Sequence, residues 1–180
     1  MTPAADATRS IRLSRAEVER KAKEVLRAHG LQTIPVDPVV LANRLGIVVN
    51  NAKFSDDQLV GMIAKREGTT TLLVNADDPP FRKRFTIAHE LGHHFLHLLE
   101  DGEFVDGDAD LFRQPPEPGE ELSEERWREI QANMFAAALL MPEDEVRGTW
   151  HRFRSIGALA RLFNVSEQAM GIRLDQLRLT

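Results

Sequence analysis

The chain of 180 residues contains no cysteine, so it can form neither disulfide bonds nor thiolate metal sites. Any metal that it binds must be held by nitrogen and oxygen atoms. Tyrosine is absent as well, which removes one common side chain for stabilising an oxyanion. The chain also lacks a basic excess, since its formal net charge is −5. General binding to nucleic acid needs a dense basic face, so we expect no direct contact with nucleic acid.

Long apolar runs are missing too. No uncharged apolar stretch approaches the roughly 20 residues that span a bilayer. The charged N-terminal segment does not resemble a signal peptide either. With 42% hydrophobic residues, the chain can still build one compact core. These features predict a soluble, cytoplasmic protein with no membrane partner.

Local patterns predict an α+β fold. Ser14 and Glu17 form a capping box that starts a first helix, and Asp37-Pro38 starts a second, short one. Short β-branched runs separated by turn residues then indicate a small antiparallel sheet of about three strands. These runs lie at 46–49, 59–64 and 70–74.

A long central helix is predicted from about 79 to 99, because apolar residues recur there at spacings of three and four. A further helix should run from Ser123 to Pro142. Between the two, acidic residues dominate and Arg113 is the one basic residue. No regular element suits that composition, so an acidic insert at 100–121 is predicted as a loop.

The predicted domain organisation follows from these elements. A flexible N-terminal tail at 1–13 precedes a main domain at 14–150, which contains the acidic insert. Residues 151–180 form a helical extension, with a helix-turn-helix-like pattern at 156–163 and 166–178. The many apolar positions of this extension favour packing against the domain over reading DNA.

The central helix carries the pattern His89-Glu90-Leu91-Gly92-His93. Residues four apart lie on one face of a helix, so His89 and His93 can present nitrogen atoms to a single zinc ion. Glu90 is rotated by about 100° from His89 and should reach a metal-bound water as general base. A chance match would usually fall on a polar surface helix, whereas this one falls on the most apolar helix. A glycine inside that helix, Gly92, suggests the close approach of another segment.

The third ligand has several candidates. An extended motif would need Gly at position 96 and His at 99, but both positions are Leu. Aspartates of the acidic segment are possible ligands, although ordering a loop would cost entropy. They are Asp101, Asp106, Asp108 and Asp110. We favour Glu129 on the next helix, because Asn133 one turn later could hydrogen-bond the outer nitrogen of a zinc-bound histidine.

With these residues in place, the sequence resembles the ImmA/IrrE family of metallopeptidases. The resemblance rests on the segments 86–93 and 129–142, and it extends to 35–47 and 159–166. One departure is Gln131, where many family members carry a second glutamate.

The resemblance implies a minimal zincin-like fold with His89, His93 and Glu129 as zinc ligands and Glu90 as the catalytic acid/base. Two histidines and one carboxylate would also suit manganese or iron. The implied substrate is a helix-turn-helix repressor, whose cleavage would relieve repression of stress-response genes. The alternative is a non-catalytic, metal-containing regulator that sequesters a repressor or an antitoxin-like partner.

Weaker signals lie outside this set. His94 and His97 share the central helix, and we expect both to fill space or meet solvent. Without tyrosine, an oxyanion could be stabilised by His151, Arg152 or Arg154, an assignment made from residue type alone.

Overall fold

The computed structural model describes residues 12–56, 59–97, 102–107 and 122–180, with the backbone alone at 102–107. Most of the predicted flexible tail at 1–13 lies outside these ranges. So does most of the predicted acidic insert at 100–121. Within the described part, the α+β fold that the sequence predicts is confirmed.

A four-stranded sheet has the order β1-β3-β2-β4. The strands are β1 (Val48–Ala52), β2 (Leu59–Arg66), β3 (Thr69–Asn75) and β4 (Gly102–Gly107). The three predicted strands form, but the fully antiparallel arrangement was wrong, because β1 joins the outer side of β3 in parallel. The loop assigned to the start of the acidic insert was also wrong, since β4 pairs antiparallel with β2. An edge strand tolerates charged residues, so an acidic composition does not exclude a strand at the edge of a sheet.

Seven helices lie in the described residues. They are α1 (Arg15–Ala28), α2 (Pro38–Arg44), α3 (Pro80–Leu96), α4 (Glu124–Leu140), α5 (Glu143–Phe153), α6 (Ile156–Phe163) and α7 (Glu167–Gln176). The capping box of Ser14 and Glu17 is present, and the side chains of Asp37 and Ser123 cap α2 and α4. Helix α5 has no counterpart among the sequence predictions. It begins directly after Pro142, which was taken as a helix end.

Helix α3 lies at the centre, with β2 and β3 on one side and α4 on the other. Gly92 determines how closely α3 and α4 approach. A Cβ atom built on Gly92 would lie 2.9 Å from the Cα atom of Ala132 and 3.0 Å from its carbonyl oxygen. The bare glycine therefore allows two helix backbones to touch where the predicted site lies.

The helical extension packs into the same core. Its apolar side chains Leu159, Phe163, Met170 and Leu174 are fully or almost fully buried. Arg173, 1% exposed, donates from Nε to the carbonyl oxygen of Met141 at 3.0 Å and forms an ion pair with Glu19 of α1. This arginine ties α7 to α1 and to the end of α4. The boundary between domain and extension at residue 151 stays a prediction.

No helix among the described residues combines the length and apolar character needed to cross a bilayer.

We expect Arg173→Ala to lower the free energy of unfolding by about 3–5 kcal/mol, because it leaves the Glu19 carboxylate and the Met141 carbonyl without their buried partner. Urea denaturation followed by circular dichroism measures this change. Arg161→Ala, at an exposed position of α6, is the matched control and should stay within about 0.5 kcal/mol of the parent. Equal effects of both substitutions would contradict a structural role for the buried pair.

Candidate metal centre

Two neighbouring rows of side chains on α3 face different partners. Residues 89, 93 and 97 follow one another at spacings of four and face α4. Residues 86, 90 and 94 form the next row, which faces the sheet: Thr86 and Glu90 lie against Gly61 of β2. The two rows separate the candidate metal ligands from the candidate general base.

The predicted metal ligands come together in a buried cluster. The Nε2 atom of His89 lies 3.2 Å from one carboxylate oxygen of Glu129, and Nε2 of His93 lies 3.2 Å from the other. The two Nε2 atoms are 3.1 Å apart. Both imidazoles are fully buried and Glu129 is 8% exposed. The structure thus brings together the three residues on which the zinc prediction depends.

The donor set fits a divalent metal ion. Ligands bound to tetrahedral zinc at about 2.0–2.1 Å lie roughly 3.3 Å from one another, close to the separations found here. Burial raises the pKa of Glu129, but hydrogen bonds and charge from His89 and His93 outweigh it and hold that pKa well below its usual range. An ionised carboxylate is the form that binds a metal.

Asn133 determines which nitrogen of His89 faces the cluster. Its side-chain oxygen lies 2.9 Å from Nδ1 of His89. An amide oxygen only accepts hydrogen bonds, so Nδ1 carries the proton and Nε2 keeps its lone pair for a metal. This contact is the one that the spacing of Glu129 and Asn133 led us to expect.

His97 plays a part that the sequence did not predict. Burial, with charge from His93, lowers the pKa of His97 to about 4, so the ring is neutral at pH 7. Its Nε2–H donates to the carbonyl oxygen of Arg128 at 3.2 Å. This hydrogen bond holds the α4 backbone one residue before Glu129. The spacing of four between His93 and His97 was the signal in the sequence, but we expected His97 to fill space or meet solvent.

Other candidate residues lie elsewhere. His94 belongs to the row that faces β2, where burial and the nearby Lys65 charge lower its pKa. Gln131 turns away from the cluster and donates to the carbonyl oxygen of Leu13 at 3.3 Å. Arg152 and Arg154 lie over the rings of Phe153 and Trp150, and with His151 they are exposed at the end of α5.

The alternative aspartate ligands have no described side chains. Asp101, Asp108 and Asp110 lie outside the described residues, and Asp106 is described in its backbone alone. Among the described side chains, the group of His, Asp and Glu residues that could hold a metal is His89, His93 and Glu129.

An α+β fold with His-Glu-x-x-His on its central helix and a carboxylate on the next helix defines the zincin-like class of protein. The chain belongs to a particular family within it, the IrrE N-terminal-like domain family of peptidases, whose pattern matches residues 42–175. This assignment agrees with the family that the sequence resembles.

Curated relatives include two proteins named radiation response metalloprotease IrrE. The one from Deinococcus radiodurans is 38% identical over 97 residues, which cover 53% of this chain and 27% of the relative. The one from Deinococcus deserti is 35% identical over 99 residues, covering 53% of this chain and 32% of the relative. The chain thus matches about a third or less of the length of these relatives.

A solved structure is also similar. A Mycobacterium tuberculosis transcriptional regulator superposes with a TM-score of 0.60 over 87% of this chain and 46% of its own, at 24% sequence identity. At that identity the similarity concerns the fold alone.

Loss of the Asn133 contact should weaken zinc binding. We expect Asn133→Ala to raise the zinc dissociation constant about 10–100-fold, because His89 loses the partner that fixes its ring and its tautomer. Competition with a chromogenic chelator measures that constant. The control is Gln131→Ala, a buried amide on the same helix that bonds to Leu13 instead. Equal zinc affinities of the Asn133 variant and the parent would show that the contact does not support a metal ligand.

Proposed function

We propose that the protein is a zinc-dependent endopeptidase, with His89, His93 and Glu129 as ligands and Glu90 as the general acid/base. The observation that carries the proposal is the buried convergence of three nitrogen and oxygen donors beside a helix-borne glutamate. Membership of a peptidase family supports the same chemistry.

Two features support the assignment of Glu90 as the general base. It is fully buried and follows His89 directly on α3, so it lies beside the donor cluster without belonging to it. Bound zinc would polarise the scissile carbonyl and acidify water. Glu90 takes one proton from the attacking water as the carbon–oxygen bond forms. It then delivers that proton to the leaving amine nitrogen as the carbon–nitrogen bond breaks.

For the substrate, we propose a DNA-binding repressor of the helix-turn-helix type, whose cleavage would relieve repression in a stress response. Resemblance to the ImmA/IrrE family supports this choice, and the name of the Deinococcus relatives, radiation response metalloprotease, supports a role in a stress response. Charge supports it as well. The net charge of −5 and the acidic sequence from Glu100 to Glu125 would attract the basic DNA-reading face of a repressor.

Glu90→Gln separates peptidase activity from metal binding. We expect the variant to keep one zinc ion per chain and to cleave the repressor about 10²–10⁴-fold more slowly, because the amide cannot accept the proton. Zinc content is measured by elemental analysis, and cleavage is followed on gels with a candidate repressor. The control is Glu125→Gln, an exposed glutamate in the first turn of α4.

Two outcomes would contradict this function. Cleavage by the Glu90 variant at the parental rate would exclude Glu90 as the general base. If the variant cleaves nothing but still releases repressed DNA as well as the parent does, the non-catalytic regulator is the better description.

A further inference from the structure

Glu90 packs against a glycine of the sheet. A Cβ atom built on Gly61 of β2 would lie 2.5 Å from Oε1 of Glu90 and 2.5 Å from the methyl carbon of Thr86. Real Cβ atoms do not come so close to other heavy atoms, so any larger residue at position 61 must displace a neighbour. The space that a side chain would fill is occupied by the candidate general base.

The strand pairs with a neighbour on each of its edges. Gly61 lies in β2, with Val74 of β3 opposite it on one side and Asp106 of β4 on the other, where the β2–β4 register shifts between Leu59 and Gly61. Two residues further along, Ile63 is fully buried on the same face of the strand. A strand paired on both edges and anchored in the core has little freedom to move away from α3.

Position 61 needs a glycine because a side chain would have no space there, and not because of its backbone conformation. Gly61 does not have the positive φ angle found at Gly30, Gly46 and Gly68, so its backbone conformation is open to any residue. Thr86 is fully buried and β-branched, which restricts its side-chain rotation. The Glu90 carboxylate, at the end of a longer side chain, is the group that would yield.

We propose that Gly61 is a positioning residue for Glu90: its bare Cα lets the carboxylate lie against β2 and so determines where the general base stands relative to the metal ligands. This inference rests on the proposed function, in which Glu90 must reach water beside His89 and His93. An added methyl group at position 61 pushes the carboxylate out of that place. A catalytic group misplaced by about 1 Å can cost roughly 10²-fold in rate.

The test uses binding, so that it does not depend on peptidase activity. Acetohydroxamate chelates zinc through two oxygens, and its N–H or O–H can donate a hydrogen bond to an adjacent carboxylate. Its dissociation constant is measured for four zinc-loaded, full-length proteins: the parent, Gly61→Ala, Glu90→Ala and the double variant. This double-mutant cycle reports the coupling between positions 61 and 90.

When Glu90 is present, we expect Gly61→Ala to weaken acetohydroxamate binding about 10-fold. This is the effect of losing one charge-assisted hydrogen bond. In the Glu90→Ala background the same substitution should change binding less than about 2-fold, since no carboxylate is left to displace. All four proteins should keep one zinc ion per chain. Where casein or a repressor is cleaved, Gly61→Ala should lower kcat and leave KM nearly unchanged.

Three results would overturn the proposal: no loss of binding in Gly61→Ala, equal losses in both backgrounds, or loss of zinc from Gly61→Ala. If Gly61→Ala fails to fold, the cycle is repeated with Thr86→Ser in every protein, which removes the methyl group that the new side chain would meet. In the Thr86→Ser background, Gly61→Ala must fold and show the same coupling to Glu90. If it does not fold in that background, the proposal is also overturned. Gly148→Ala, where an added Cβ meets nothing within 4 Å, is the matched control.

Discussion

The candidate site depends on the contact between Gly92 of α3 and Ala132 of α4. On α3, the glycine stands between His89 and His93, and on α4 the alanine stands between Glu129 and Asn133. Both sets follow the spacing i, i+3, i+4, which places all three residues of each set on one helix face. A glycine within a helix costs roughly 1 kcal/mol relative to alanine. Here it lets the backbones approach to a distance at which a histidine nitrogen of one helix meets a carboxylate of the other.

A second close contact lies on a neighbouring face of α3. There, Gly61 lets β2 approach the Glu90 carboxylate, as Gly92 lets α4 approach the histidines. Because successive helix residues are about 100° apart, the neighbours His89 and Glu90 face different elements. The sheet and α4 thus enclose one helix from two sides. The candidate metal ligands lie against α4, and the candidate general base lies against the sheet.

Most of the parts that could be predicted from sequence are determined within one helix or strand. The capping residues Ser14 and Asp37 act on their own helix ends, and the spacing of Glu129 and Asn133 places both on one face of α4. Of the contacts between distant segments, the approach of Glu129 and Asn133 to the histidines was expected, and others were missed. The parallel pairing of β1 and the addition of β4 depend on which strand edge is available in the assembled sheet. The contacts of His97 with Arg128 and of Gly61 with Glu90 likewise arise when separate elements pack together.

The central claim is that one metal ion lies between α3 and α4. Anomalous diffraction from crystals grown with zinc, collected above and below the zinc absorption edge, tests it most directly. The account predicts one strong peak per chain, about 2.0–2.2 Å from Nε2 of His89, Nε2 of His93 and a carboxylate oxygen of Glu129. A peak held by an aspartate of the acidic segment in place of Glu129, or no peak between the two helices, would contradict it.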